Sequence, residues 1–414
     1  MGVTIQDTTI VTTNSMIQNP AGVLTVLSGI AALFFYLERR CQWRLFNYFP
    51  PLLFIYAIPF VLSNTGVLPT DSPVYAGMRR YGLPFFLTIL LLGVDVRSAL
   101  RVMGRGILVM LMGTLGVVLG GPIAYWVVRK FLSEDAWKGY GALAGSWIGG
   151  TGNMAAVSEA LATPGDLFGL AVLADNVVYL LWLPILLGSR TWAEKFARFT
   201  GASHKDRVRE LELAVGKLET KRNDIAMRHV VYLGFLGFLV TWVSVVGGTA
   251  SADWLERSLS ASVLENFPVV SATSLMVLLV TTSGIALSYT PARRIPGSHN
   301  VAMAVVYVFV ATMGARASVE GFAQAVPFVL GAFIWIFIHG AFCLLGARLF
   351  RVDVHTAAIA SAANIGGAAS APVVASYHNE KLVPVSVLMA LIGYALGNYA
   401  ALLTAQLIFF VSKL

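Results

Sequence analysis

The 414-residue sequence is poor in charge: 12% of its residues are Asp, Glu, Lys or Arg, against 57% hydrophobic. A soluble domain of this length carries about 25% charged residues. So few charges cannot cover so much apolar surface, which excludes a water-soluble globule and makes lipid the solvent for much of the chain. Cysteine is scarce as well. Cys41 and Cys343 lie far apart and outside any metal-ligand spacing, which argues against a disulfide framework or a zinc centre. His-Glu-x-x-His, a phosphate-binding Gly-Lys-Ser loop and a Gly-x-Ser-x-Gly elbow are missing, and with them the commonest enzyme signatures. The start of the chain lacks the basic residues of a cleavable signal peptide, so none is expected. The net charge is +8, but the basic residues fall in short runs between apolar spans and form no stripe on one face. No nucleic-acid partner is expected from that pattern.

What the sequence has is apolar spans. A membrane helix needs roughly 20 mostly apolar residues. Twelve segments qualify: 21–37, 45–63, 81–100, 106–128, 140–160 and 167–188, then 229–249, 267–287, 300–315, 325–349, 356–377 and 383–411. Trp43, Trp126, Trp137, Trp192 and Trp254 fall near span ends, as in an aromatic belt. A hydrophilic linker, 189–228, holds ten Lys or Arg and a surface helix expected between Asp206 and Asp224. It divides a first repeat, 1–188, from a second, 229–414.

Two spans are poor in large aliphatics: Gly145-Ser-Trp-Ile-Gly-Gly-Thr-Gly-Asn-Met154 and Ala363-Asn-Ile-Gly-Gly-Ala-Ala-Ser-Ala-Pro372. A Gly-Gly pair in mid-span opens the helical ladder, and each freed backbone group would cost several kcal/mol against lipid. These stretches must be sheltered by protein or line a wet cavity. Ile148-Gly149-Gly150 superposes on Ile365-Gly366-Gly367, and Asp175-Asn176 on Gly397-Asn398, with the same order of elements around them. Interrupted segments at matched positions of a duplication are the sequence pointer to a transporter binding site. The distribution of Lys and Arg places the linker and Arg293-Arg294 in the cytoplasm whether the glycine segments cross or re-enter. The expected fold is an all-α integral membrane protein. It has about ten transmembrane helices plus two Gly-Gly re-entrant or broken helices, in two inverted repeats. It would pass many times through a plasma or inner membrane.

Asp175 lies near the centre of its span, where an acid costs about 2.5–3.5 kcal/mol and normally faces a partner, a cavity or an ion. One reading makes its carboxylate the ligand of a coupling ion, sodium or a proton, beside Asn176. The other makes it a hydrogen-bonded acid joining two helices. Gly149, Gly150, Gly366 and Gly367 offer free N–H and C=O groups at half-helix ends, and Thr151, Asn153, Asn364 and Ser370 add neutral donors and acceptors. Asn398 joins them as the mate of Asn176. Weaker candidates are Glu159, Asp95, Arg316 and His339, the last more readily a satisfied core histidine than a proton relay.

The runs Asn364-Ile-Gly-Gly367, Leu382-Val-Pro384 and Gly393-Tyr-Ala-Leu-Gly-Asn398, with Gly149-Gly150-Thr-Gly-Asn153 and Asp175-Asn176, resemble the membrane family catalogued as domain of unknown function 819. The resemblance covers nearly the whole chain. More distantly, paired Gly-Gly hairpins in an inverted duplication resemble sodium–glutamate and sodium–citrate symporters, and the broken helices resemble bile-acid–sodium symporters. Gly149-Gly150-Thr151-Gly152 fits the symporters' Gly-Gly-x-Gly pattern, whereas Gly366-Gly367-Ala368-Ala369 departs from it at the last position. Fold likeness alone does not give function. The expectation is a secondary active transporter, sodium- or proton-coupled, of a small polar or anionic solute, with no cofactor beyond a sodium ion. The alternatives are a monovalent cation–proton antiporter and, from another class, a membrane enzyme acting on a lipid. The expected partners are the solute or ion, the lipid bilayer and, as in the commonest oligomers, a second copy in a homodimer.

Overall fold

The computed structural model describes residues 15–41, 51–94, 99, 103–202, 224–319 and 323–414. The helices of the first half are α1 (Pro20–Cys41), α2 (Pro51–Asn64), α3, α4 (Gly106–Val128), α5 (Ala136–Ala160) and α6 (Gly165–Gly188). Helix α3 is composite, running through Pro73–Gly77, a π turn Met78–Gly82 and Leu83–Leu92. The second half has α7 (Met227–Ser258), α8 (Ala272–Ser288), α9 (Ser298–Ala315), α10 (Ala325–Phe350), α11 (Val354–Ile365), α12 (Gly367–Asn379) and α13 (Val383–Ser412). Pro20, Pro51 and Pro73 open their helices, where the missing N–H costs nothing. Asp95 and Trp43, and most of the linker helix expected at 206–224, lie outside the described residues.

Seven of these helices are long and apolar enough to cross a membrane, and α2 and α8 are shorter apolar helices. Helix α4 shows why they need lipid. Leu111, Leu115, Leu119 and Ile123 recur every fourth residue and are all exposed. Val231, Phe235, Phe238, Trp242 and Val246 recur every third or fourth residue on α7 and are exposed as well. In water such stripes would drive aggregation; in hydrocarbon they are the outer wall. The opposite face of α4 is made of small residues. A Cβ on Gly113 would lie 2.8 Å from Cys343 Sγ, and one on Gly120 2.8 Å from Trp335 Cδ1. Helix α10 therefore packs backbone-close and antiparallel to α4.

The helices pack as two bundles. Helices α1, α2, α3, α7, α8 and α9 form a scaffold bundle. Helices α4, α5, α6, α10, α11, α12 and α13 form a core bundle. Each half of the chain thus gives its first three spans to the scaffold and the remainder to the core. At one end of the molecule Arg105 donates to the Phe350 carbonyl and Arg190 to that of Tyr377, beside the start of the linker. At the far end Arg129 donates to the Val411 carbonyl.

Several boundaries differ from the sequence expectation. The span expected at 81–100 begins at Pro73, because Ser72 caps it and the π turn lets the chain pass Arg79 and Arg80 without breaking. Helix α7 continues nine residues past the expected 249, to Ser258, carrying Trp254 beyond the apolar stripe. Trp137 is buried against Phe409 and is not part of an aromatic belt, whereas Trp126, Trp192 and Trp254 are exposed.

Candidate functional site

Both glycine segments are re-entrant helical hairpins. In α5, Gly150 adopts φ 73° and ψ −172°, a conformation open to glycine and strained for other residues. The chain reverses there. A Cβ on Gly145 would lie 3.0 Å from Met154 Cα, and Thr163 donates to the Lys138 carbonyl at 3.5 Å. A continuous helix would hold residues 145 and 154 about 13 Å apart at 1.5 Å per residue. The second hairpin joins α11 to α12 at Gly366-Gly367, with Gly367 at φ 57°. At its base the Nδ1 atoms of His355 and His378 are 2.8 Å apart. The second glycine of each pair takes the positive φ, so the missing glycine at Ala369 does not prevent a second tip. Gly152 serves packing instead: a Cβ there would lie 2.8 Å from Leu90 of α3.

The hairpins enter from opposite ends. The first opens beside the far end of α4, the second beside the linker end of α10 and α6, where His378 bonds the Leu186 carbonyl at 2.9 Å. Their tips meet. A Cβ on Gly367 would lie 3.6 Å from Gly150 Cα, and the Tyr394 ring of α13 touches both glycines. Non-helical backbone from the two halves is therefore gathered at one depth and covered by protein.

Around the tips the polar candidates separate into groups. Asn153, on the returning arm of hairpin 1, donates to the Tyr394 carbonyl at 3.0 Å. Asn364, on the entering arm of hairpin 2, donates to the Met110 carbonyl at 2.9 Å and accepts from Thr114 at 3.3 Å. Asn398 donates to Thr281 of the scaffold at 2.8 Å. Ser370 lies one turn into α12, and a Cβ on Gly366 would strike its side chain. Thr151, next to the tip of hairpin 1, is half-buried.

Asp175 faces hairpin 1. Its Oδ1 accepts from the Trp147 indole at 2.9 Å and its Oδ2 from Ser146 at 3.1 Å. The carboxylate thus fastens α6 to the entering arm, the geometry of the helix-joining reading. Asn176 turns back to the Val172 carbonyl of its own helix at 2.7 Å and does not reach the tips. His339 is satisfied on both nitrogens, by the Gly113 carbonyl at 2.9 Å and Ser361 at 3.0 Å, and Trp182 donates to the same serine. The carbonyl requires the proton on Nδ1.

Sequence reasoning missed Tyr394, Trp147, Ser146 and Thr281 as site neighbours. Tyr394 carries a signal in hindsight, since it sits inside the Gly393–Asn398 run. Nothing in the sequence joins Thr281 to it.

A polytopic α-helical membrane protein with two sheltered hairpins is the class these features define. The chain belongs to the family described as Protein of unknown function (DUF819), whose model matches residues 25–411. It is also similar to the uncharacterized membrane protein YjcL of Bacillus subtilis (strain 168), 28% identical over 377 residues, which are 89% of this chain and 92% of that protein.

Proposed function

We infer that this protein is a secondary active transporter, driven by sodium or protons, that carries a small polar or anionic solute. The observation that carries the reading is the meeting of two hairpin tips from opposite ends inside one bundle, beside a second bundle built from the other spans. Half-helix ends at that depth offer N–H groups to an anion and carbonyls to a cation without exposing backbone to lipid.

The seam between the bundles supports movement of one against the other. Its far end is closed by Glu159 and Arg316 at 2.8 Å, by Ser271 and Ser274 on the Ala160 carbonyl, and by Tyr56 on the Gly165 carbonyl. Its linker half holds a cavity of about 350 Å³ between α4, α8 and α13. Arg39, Arg40, Arg105, Arg190, Arg293, Arg294, Arg348 and Arg351 sit at the linker end, which the positive-inside rule assigns to the cytoplasm. In this assignment the cavity belongs to an inward-facing arrangement, and hairpin 1 enters from outside. A transporter is favoured over an enzyme because Glu159, Asp175 and His339 are each engaged by structural partners.

The test is uptake by proteoliposomes of a panel of labelled carboxylates and amino acids, under imposed sodium or proton gradients. Accumulation of a solute that collapses with the gradient is expected. Cation-for-proton exchange without any organic solute would replace this reading with an antiporter.

A further inference from the structure

We propose that Asn153 and Asn398 supply two ligands to a site for a small monovalent metal cation, where hairpin 1 and α13 meet α8. The proposal deepens the transport reading and rests on it for the use of the ion, though not for its binding.

The Oδ1 atoms of both residues are buried and have no hydrogen-bond partner among the described residues. The residues are 1% and 0% exposed, so bulk water does not satisfy them. The Asn153 amide cannot be turned round to remove the problem. Asn153 Nδ2 faces the Tyr394 carbonyl at 3.0 Å, and a carbonyl only accepts. Asn398 Nδ2 faces Thr281 Oγ1 at 2.8 Å, and that hydroxyl already gives its hydrogen to the Val277 carbonyl at 2.7 Å. Thr281 therefore accepts from Asn398 in this structure. Both carboxamide oxygens are thus acceptors with no donor among the described residues.

They belong to one neighbourhood. Asn398 follows Tyr394 by one turn of α13. Gly397, beside it, has no Cβ, and one built there would lie 2.9 Å from both Asn153 Cγ and Gly149 Cα. Its absence lets hairpin 1 close onto α13 at this point. The Ile148 carbonyl is also here, since a Cβ on Gly393 would strike it. Ile148 lies in the last turn of the entering arm, just before the Gly150 break, so its carbonyl sits at the negative end of that arm's dipole.

This donor set selects its ligand. Amide and peptide oxygens are hard donors suited to hard cations, and their lack of formal charge favours a monovalent ion over a divalent one. Carboxamides do not take up protons in the physiological range, so the ion is a metal such as sodium and not a proton. A cavity lies next to this point on the linker side. The cavity there is lined by Ala395 and Tyr399, which bracket Asn398 along α13, and by Ile285, one turn from Thr281.

The experiment is thermal unfolding of the purified full-length protein, titrated with sodium chloride against potassium and choline chloride at constant ionic strength. A saturable stabilisation specific to sodium is expected, independent of pH across the neutral range. Asn153→Ala and Asn398→Ala should each weaken it at least about tenfold, the scale of losing one good ligand. If the alanine variants do not fold, Asn398→Asp keeps an oxygen in place and should make sodium binding depend on pH. No sodium-specific stabilisation of the wild type, as expected of an ordered water at the site, would overturn the proposal. So would full sodium affinity in both alanine variants, or pH-independent wild-type affinity in Asn398→Asp. These readouts need no solute. Sodium binding without uptake would leave the site standing and the transport reading in question. Uptake indifferent to sodium, without sodium stabilisation, would do the reverse.

Discussion

Glu159, on the returning arm of hairpin 1, and Arg316, just past the end of α9, form an ion pair at 2.8 Å that ties the core bundle to the scaffold. Their side chains are 9% and 25% exposed, so the pair is largely withdrawn from solvent. Removing one partner of such a pair leaves a buried charge uncompensated, at a cost of about 3 kcal/mol when fully buried and less here. Glu159→Gln and Arg316→Gln should each lower the thermal midpoint, and combining them should cost less than the sum. Each should also raise labelling of a Ser271→Cys probe at the far seam by an impermeant maleimide. Unchanged labelling in both variants would mean that the pair does not hold the seam shut.

The two tip glycines should not be equally tolerant. Gly150 at φ 73° and ψ −172° occupies a glycine-only region, and an added Cβ would also lie 3.1 Å from the Tyr394 ring. Gly367 at φ 57° has a φ that other residues adopt at lower cost, and its added Cβ would meet nothing closer than 3.6 Å. Gly150→Ala is expected to cost about 2–3 kcal/mol and Gly367→Ala about 1 kcal/mol. Thermal midpoints in the same detergent decide the order, and a reversed order would contradict the geometry.

How much of this was legible beforehand depends on the range of the interaction. The glycine pairs announced themselves because they break helical patterning locally, and their matched positions made a common site a reasonable expectation. The entry of the hairpins from opposite ends follows from counting crossings, once both are known to re-enter. Asn153 was legible as a polar group near a tip. Its partner Tyr394 is 241 residues away, and no periodicity reports such a contact. Asp175 was conspicuous because a carboxylate in an apolar span is costly. Its engagement by Trp147 and Ser146 was hidden, because those residues read as part of the glycine stretch. The division into two bundles was equally hidden, since apolar spans facing lipid and apolar spans facing protein have nearly the same composition.

The clamp on Asp175 can be measured as a coupling. Trp147→Phe removes the indole donor while keeping a large ring, and Asp175→Leu removes the acceptor oxygens at similar size. If the 2.9 Å bond from Trp147 to Oδ1 joins hairpin 1 to α6, the two substitutions are not additive. A double-mutant cycle on unfolding should give a coupling of about 1–3 kcal/mol, as for hydrogen bonds to charged groups. Additivity within about 0.5 kcal/mol would show that the contact contributes nothing beyond proximity.

The hairpins themselves are open to a topological test. Between Thr200 and Leu414 the chain passes through α7, α8, α9, α10, hairpin 2 and α13. If hairpin 2 returns to the side it entered from, five crossings separate the two positions, and they lie on opposite sides of the membrane. If α11 and α12 crossed as one broken helix, six crossings would put them on the same side. Epitopes inserted after Ala202 and fused after Leu414 should therefore differ in protease accessibility in intact cells. The positive-inside assignment expects the linker epitope to be protected and the C-terminal one cleaved. Protection of both would convert hairpin 2 into a crossing helix and remove the encounter of its tip with Gly150.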